Sequence, residues 1–352
     1  MQSAIVIVGP ENRGPEGREP ESREEDSRGD AGEASLPATT SDQEGFPLSC
    51  VEVLGLSVVA RFIEEFHRAG ISTVSVLGNI SGASFDFDSA ARVQPCSKEE
   101  VWRKAAEQLW SDKQNSAEAI LIVRAGAYLD LDLKDFFQFH REHGQAVTRA
   151  FDREGPLDVW IVDPAGIAEG TDILALLYTP DPIQYLVRGY VNHLEHPRDL
   201  RRLVVDSLTS RCGLRPQGTE IRPGIWMDDS AQVHRDARIV APAFIGRGAR
   251  VGEQCLITRS SNIESNCQVD YGTVVEDSSI LSNSYVGIGL DLSHSIVDGN
   301  NLLNLERNVT LEIADPCVIR PNRVSRSDKN FKLPVPFGLG GVHFSQVEEG
   351  SR

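Results

Sequence analysis

The sequence has little of what an extracellular, membrane-spanning or nucleic-acid-binding protein needs. Its six cysteines (Cys50, Cys96, Cys212, Cys255, Cys267 and Cys317) are scattered and form no C-x-x-C. That spacing is neither a disulfide framework nor a zinc site. No apolar run approaches the ~18 residues needed to span a bilayer. The opening MQSAIVIVGP has no basic stretch ahead of its apolar residues, so no signal peptide is expected. Basic residues are in deficit: 35 Lys+Arg against 52 Asp+Glu leave a formal net charge of −17. This argues against nucleic acid or an anionic membrane surface as the main partner. What remains is a soluble, acidic, cytoplasmic-type protein of 352 residues, 40% of them hydrophobic, long enough for two domains.

Residues 4–8, AIVIV, form a continuous apolar run, the pattern of a strand buried on both faces. Gly9 to Gly45 differs in kind, with eleven acidic residues, four arginines, no aromatic and one large aliphatic, Leu36. Such a segment cannot bury enough apolar surface to offset its ordering entropy, so a disordered acidic insertion is expected. From Phe46 to about Ser210, strand-like and helix-like patterns alternate. VVARFIEEFHRAG (58–70), KEEVWRKAAEQLWS (98–111), LKDFFQFHREHG (133–144) and HPRDLRRLVVDSLTS (196–210) read as helices. ISTVSVLG (71–78), AILIVRAG (119–126) and LDVWIVD (157–163) read as strands. That alternation predicts a parallel, doubly wound α/β sheet over residues 1–210.

From Ile221 the regime changes to an internal repeat. Every sixth residue from Met227 through Val233, Ile239, Ile245, Val251, Ile257, Ile263, Val269 and Val275 to Leu281 is aliphatic or Met. At this composition the chance probability is roughly one in ten thousand. A second column, Ala231, Ala237, Ala243, Ala249, Cys255, Ser261, Cys267, Thr273 and Ser279, is uniformly small until Tyr285 breaks it. Neither an α-helix nor a flat strand has a period of six. A triangular parallel β-solenoid does, with one hexad per side, and is expected over 221–319. The phase is expected to slip near Gly287–His294, at an irregular insertion over Gly287–Ser295, with further coils after it at Val297, Leu303 and Val309. The period places Arg247 and Glu264 outward. An irregular basic tail (Arg320, Arg323, Arg326, Lys329, Lys332) occupies 320–352.

The pieces AIVIVG, FPLSCVEVLGLSVVARFIEEFHRAGI (46–71), YLDLDLKDFFQFHREHG (128–144), VWIVDP (159–164) and GYVNHLEHPRDLRRL (189–203), in this order before a six-residue repeat, resemble the NDP-sugar pyrophosphorylases. These are sugar-phosphate nucleotidyltransferases of the mannose-1-phosphate guanylyltransferase kind. The resemblance implies a Rossmann-like nucleotidyltransferase-type sheet followed by a left-handed parallel β-helix of hexapeptide repeats. It also implies attack of a sugar phosphate on the α-phosphorus of a nucleotide, assisted by Mg²⁺.

The family's chemical groups are replaced at the matching positions. Its G-G-x-G-T-R phosphate loop is Gly9-Pro10-Glu11-Asn12-Arg13 here, which retains one glycine and sets a carboxylate where phosphates would sit. Its two lysines fall on Phe46 and Leu56. Its first metal-binding Asp falls on Gly126, within Arg124-Ala125-Gly126, and its second on His193. Mg²⁺ favours hard oxygen donors, so the resemblance leaves it no ligand, and no cofactor is expected. The sugar-contacting N-A-G falls on Pro156-Leu157-Asp158.

The reading is therefore a nucleotidyltransferase-like pseudoenzyme of nucleotide-sugar or surface-polysaccharide metabolism, with no catalytic residue. It would act as a regulatory or assembly subunit, a homo-oligomer or a partner of an active pyrophosphorylase through the β-helix. A remnant pocket of Gly9, Arg13, Arg124 and His193 would take a nucleotide or sugar phosphate. Two alternatives stay open. One is an active pyrophosphorylase with a re-equipped site. The other is a β-helix acyltransferase using His234 or His294 as base, although neither shows an activating partner in the sequence.

Overall fold

The computed structural model describes residues 2–8, 48–78, 91–180 and 182–322. The acidic stretch 9–45, with Gly9 and Arg13, lies outside them, as does the tail beyond Asn322. In the sheet half, the elements are β1 (Gln2–Val8), β2 (Glu52–Val53), β3 (Leu56–Ser57), α1 (Val58–Arg68), β4 (Thr73–Gly78), β5 (Ala91–Pro95), α2 (Lys98–Gln114), β6 (Ala119–Arg124) and β7 (Tyr128–Leu129). They continue with α3 (Leu133–His143), β8 (Val147–Phe151), β9 (Pro156–Val162), α4 (Ile173–Leu177), β10 (Ile183–Leu186), β11 (Val191–Asn192) and α5 (Pro197–Leu208). The main sheet runs β10-β8-β9-β6-β1-β4-β5.

The apolar runs explain the layering. In β6 and β9, Leu121, Val123, Val159 and Ile161 join the core under α1, α3 and α5. The alternate residues Ile120, Ile122, Trp160 and Val162 join the core under α2 and α4. Burial of each such side chain stabilises by ~1.5–3 kcal/mol, so both faces must be covered. Helix α1 starts where Ser57 accepts from Ala60 N, and it buries Val58, Val59, Phe62, Ile63 and Phe66. Among the described residues no helix is long and apolar enough to cross a membrane.

The sheet is mixed rather than wholly parallel. β9 runs antiparallel to both β6 and β8, while β1, β4, β5 and β6 are mutually parallel and β10 is parallel to β8. The cause is the short loop 152–155 between β8 and β9. It makes a hairpin and leaves no length for the crossover that a parallel partner needs.

From Thr219 three further sheets form, and each takes every third strand of the repeat. One contains Ile225–Met227, Ala243–Ile245, Ser261–Ile263, Ser279–Ile280 and Ser295–Asp298, all parallel. Ala243 pairs with Ile225 and Ser261 with Ala243, a step of eighteen residues each time. The sixth-residue column is the core: Ile245, Val251, Ile257, Ile263, Val269 and Val275 are at most 3% exposed.

Three expectations for this region are corrected. The phase slips before Ile280, not at 287–294: Ile263 pairs with Ile280 and Val274 with Asp291, steps of seventeen. Val275 and Ile280 both face inward and are five positions apart rather than six, so Leu281 leaves the column for the core shared with the sheet half. Gly287–Ser295 is consequently no insertion. Leu303 and Val309 begin no further coils either, because Asn301–Asn304 and Val309–Glu312 fold back antiparallel. Finally, Glu264 does not face solvent but is 0% exposed. The outer surface of its strand is covered by the sheet half, with Phe244, Ile296 and Leu303 in the same core cluster as α1 and α5.

Candidate functional site

The carboxyl ends of β1, β4 and β6 lie side by side, with Val8 opposite Gly78 and Ile7 opposite Arg124. Neighbours on both sides of β1 make this the point where an open α/β sheet forms its crevice. Gly78 permits the close approach: a Cβ there, at φ +146, would stand 1.9 Å from Val8 O. Ser49, in the 3₁₀ turn Leu48–Cys50, donates to Ala125 O at 2.7 Å and fixes the loop after β6.

Arg124 ends β6, and its Nε donates to Asp158 Oδ2 at 2.7 Å, with Nη2 on the same oxygen. Asp158 reaches this edge because β9 is antiparallel, which brings its first residues beside the last of β6. Its other oxygen accepts from Arg149 Nη2 at 3.2 Å and from the Tyr178 hydroxyl at 3.4 Å. The Arg149 guanidinium lies over the Trp160 and Tyr178 rings, 5.2 and 5.0 Å from their centroids. Arg124 is thus not an unpartnered cation aimed at a phosphate. Its charge is committed to a half-buried carboxylate shared with a second arginine.

His193 follows β11, which pairs antiparallel with β7. Its Nε2 is 2.9 Å from Asp152 Oδ2 and 3.3 Å from Glu154 Oε2. Asp152 Oδ1 accepts from the amides of Glu154 and Gly155 at 2.8 and 2.9 Å, so the hairpin loop itself aims this carboxylate. Beside it lies an open cleft of about 380 Å³ lined by Asp152, Arg153, Glu154, Leu186, Arg188 and Val191. The Tyr128 hydroxyl donates to Asp130 at 2.6 Å. Burial, then that bond, holds the Tyr128 phenol far above its usual range, so it stays protonated.

The resemblance implies Mg²⁺, and the donors present do not fit it. At the first metal position Gly126 has no side chain, although a Cβ there would meet nothing within 4 Å. At the second, the His193 ring nitrogen is already engaged by two carboxylates. Among the described residues no group of three or more His, Cys, Asp and Glu is arranged to hold a metal ion. No step is derived through a metal.

Of the predicted pocket residues, Arg124 and His193 both reach the carboxyl edge but engage different carboxylates, while Gly9 and Arg13 lie outside the described residues. Sequence reasoning missed Asp158 as an ion-pair partner, and Arg149, Asp152 and Glu154 altogether. One signal was available: Asp158 is the single charge in the apolar run LDVWIV. The histidines of the repeat also need one correction. His234 is exposed, its Nδ1 3.7 Å from Asp236. His294, expected to lack a partner, places Nδ1 2.6 Å from Asp277 Oδ2, whose other oxygen accepts from Arg201 at 2.8 Å. No family model matches the chain, and no curated protein matches it.

Proposed function

We propose that this chain is a sugar-phosphate nucleotidyltransferase-like protein that does not catalyse transfer and serves as a cytoplasmic regulatory or assembly subunit. Its repeat region is read as a left-handed β-helix. Support comes from the three parallel sheets, the eighteen-residue steps and the inward aliphatic column. Such a prism offers flat outer faces for assembly, as a homo-oligomer or with an active pyrophosphorylase.

The observation that carries the catalytic part is the Arg124–Asp158–Arg149 cluster at the carboxyl edge. A nucleotide triphosphate held there needs cationic groups with no carboxylate between them, or metal bridging its oxygens. The test is pyrophosphate release from each nucleoside triphosphate with hexose 1-phosphates, with Mg²⁺ and with EDTA. No release above background is expected in either condition, and EDTA-sensitive release would sink the reading.

A weaker reading retains the cleft beside His193 as a binding site for a nucleotide or sugar phosphate, because Arg153 and Arg188 both line it. Thermal shift measures this directly. A ligand at 100 times its Kd should stabilise the fold by about 2.7 kcal/mol.

A further inference from the structure

Where the sheet half meets the repeat region, hairpin β2–β3 turns through Leu54 and Gly55, at φ +52 and +90. Leu54 is fully buried, and a Cβ on Gly55 would stand 2.8 Å from the Gln217 side chain. The turn is held from two sides. The Arg61 guanidinium donates to the carbonyls of Val53, Leu54 and Arg215 at 2.8, 3.0 and 2.8 Å. From the other side, the amides of Leu54 and Gly55 donate to the two oxygens of Glu264 at 2.7 and 2.9 Å. Glu264 therefore reaches out of the repeat region to grip the other half.

A second carboxylate reaches the opposite way. Glu52, on β2, accepts from the hydroxyls of Ser265 and Ser282, both in the repeat region. The titratable groups facing Glu264 are Glu52 on β2, Arg61 on α1 and Cys267 on the neighbouring repeat strand. Burial keeps the Cys267 thiol protonated, so it brings no charge. Arg61 directs its donors to main-chain carbonyls. A buried carboxylate and a half-buried one thus share the joint, and among the described residues no cation is bonded to either.

The bonding leaves room for one proton. Each carboxyl oxygen has two acceptor positions. Glu264 Oε1 uses both, on Leu54 N and on Asn262 Nδ2 at 2.6 Å, whereas Oε2 uses one, on Gly55 N. The vacant position on Oε2 can carry a proton without breaking a contact.

We propose that Glu264 and Glu52 form a proton-dependent latch: with Glu264 protonated they hold the hairpin on the repeat region, and with Glu264 ionised they release it. The Glu264 carboxyl supports this, since burial first and Glu52 second push it up to about 8, against the two amides and Asn262. The consequence reaches the candidate site. The hairpin directly follows the 3₁₀ turn whose Ser49 fixes the loop after β6. Release would loosen the wall beside Arg124. The sign is fixed by the raised value: the folded joint keeps a proton that the unfolded chain gives up, so its hold is full in acid and fails as pH rises through about 8.

The test is hydrogen exchange by mass spectrometry on the full chain at pH 6.5 and 9.0, corrected for the intrinsic chemical rate. Peptides covering 48–57 and 119–127 should lose protection by about thirtyfold between pH 6.5 and 9.0, for the 1.5 pH units up to about 8 over which the closed joint keeps a proton that the open one has lost, while α3 shows no comparable loss. Glu52→Gln removes the second cause and keeps one of the two oxygens that accept from the serines, so it should shrink that loss without removing it, because Glu264 stays buried. Glu264→Gln should abolish it, from a lower baseline, because its amide cannot accept from Gly55 N. Equal protection at both pH values in the wild type overturns the latch. So does a loss shared equally by α3, or one that persists in Glu264→Gln.

Discussion

The sheet half and the repeat region bury comparable apolar columns but treat polar groups differently. In the sheet half, charge gathers at the carboxyl edge, where Arg124 and Arg149 bond Asp158 and, separately, His193 bonds Asp152. In the repeat region, polar side chains sit inside the coils. Ser261, Thr273, Ser278, Ser284 and Ser295 are at most 2% exposed. Ser261 donates to Thr258 O, Thr273 to Gly287 O and Ser278 to Glu276 O. The reason is geometric. A long strand satisfies its main chain along its length and confines irregular backbone to its ends. The repeat region has strands of only two to four residues, so irregular backbone recurs at short intervals, and small hydroxyls satisfy it locally.

That difference fails first where an ion is forced into a coil. Ile263→Asp would bury an unpaired carboxylate at a 0% exposed position. It should destabilise by roughly 4 kcal/mol or more in urea denaturation, whereas Arg247→Asp at an exposed corner should change little. Equal losses at the two positions would mean the inward column is misassigned.

Next in size is the clamp between the halves. Arg201 of α5, 5% exposed, donates to Ser260 O at 2.8 Å, Arg259 O at 3.2 Å and Asp277. Arg259 and Ser260 are consecutive non-glycine residues at φ +53 and +57, a backbone that needs outside support. Arg201→Ala leaves Asp277 with His294 alone and two corner carbonyls unpaired. It should cost about 3 kcal/mol, against a few tenths for the exposed neighbour Arg202→Ala. A cost at Arg201 no larger than at Arg202 would show that the corner holds itself.

Smaller still is Gly126→Asp. Nothing lies within 4 Å of a Cβ there, so stability should change by less than about 0.5 kcal/mol. Nucleotidyl transfer should stay absent, because Arg124 and Asp158 remain paired beside it. Mg²⁺-dependent pyrophosphate release by this variant would show that the missing carboxylate alone silences the site.

What the sequence made legible follows the same division. The helices of the sheet half and the inward column of the repeat are local patterns, and they survive folding up to Val275, after which Ile280 takes the place expected of Leu281. The ion pair of Arg124 was not legible, because it depends on the direction of β9. In a parallel β9, Asp158 would sit at the opposite edge. Only the hairpin loop 152–155 turns it toward Arg124. Similarly, a period of six separates inside from outside but does not tell which outer face the other half covers, so Glu264 was misplaced. The pairing of His294 with Asp277 needed the seventeen-residue step, a single deletion invisible to a strict period.

The smallest predicted effect distinguishes the halves by acid. His140, on α3, is 5% exposed, with Nδ1 2.7 Å from Thr148 Oγ1. Burial holds its imidazole below the usual value of 6.5, with Asp163 opposing weakly. The folded chain therefore keeps it neutral while the unfolded chain takes up a proton. Its contribution is present above pH 6.5 and is lost as pH falls below that value toward the depressed one. In the repeat region the side chains of His234 and His294 are 41% exposed rather than buried. Lowering pH from 7.5 to 5.5 should weaken the wild type more than His140→Gln, by up to about 1 kcal/mol after the shared carboxylate contribution cancels between the two. Hydrogen exchange at pH 5.5 should show the loss in α3 and β8 while the strands around Ile257 and Val275 keep their protection. Matching pH profiles for wild type and variant would mean that His140 ionises in place, and that the sheet half is no more sensitive to acid than the coils.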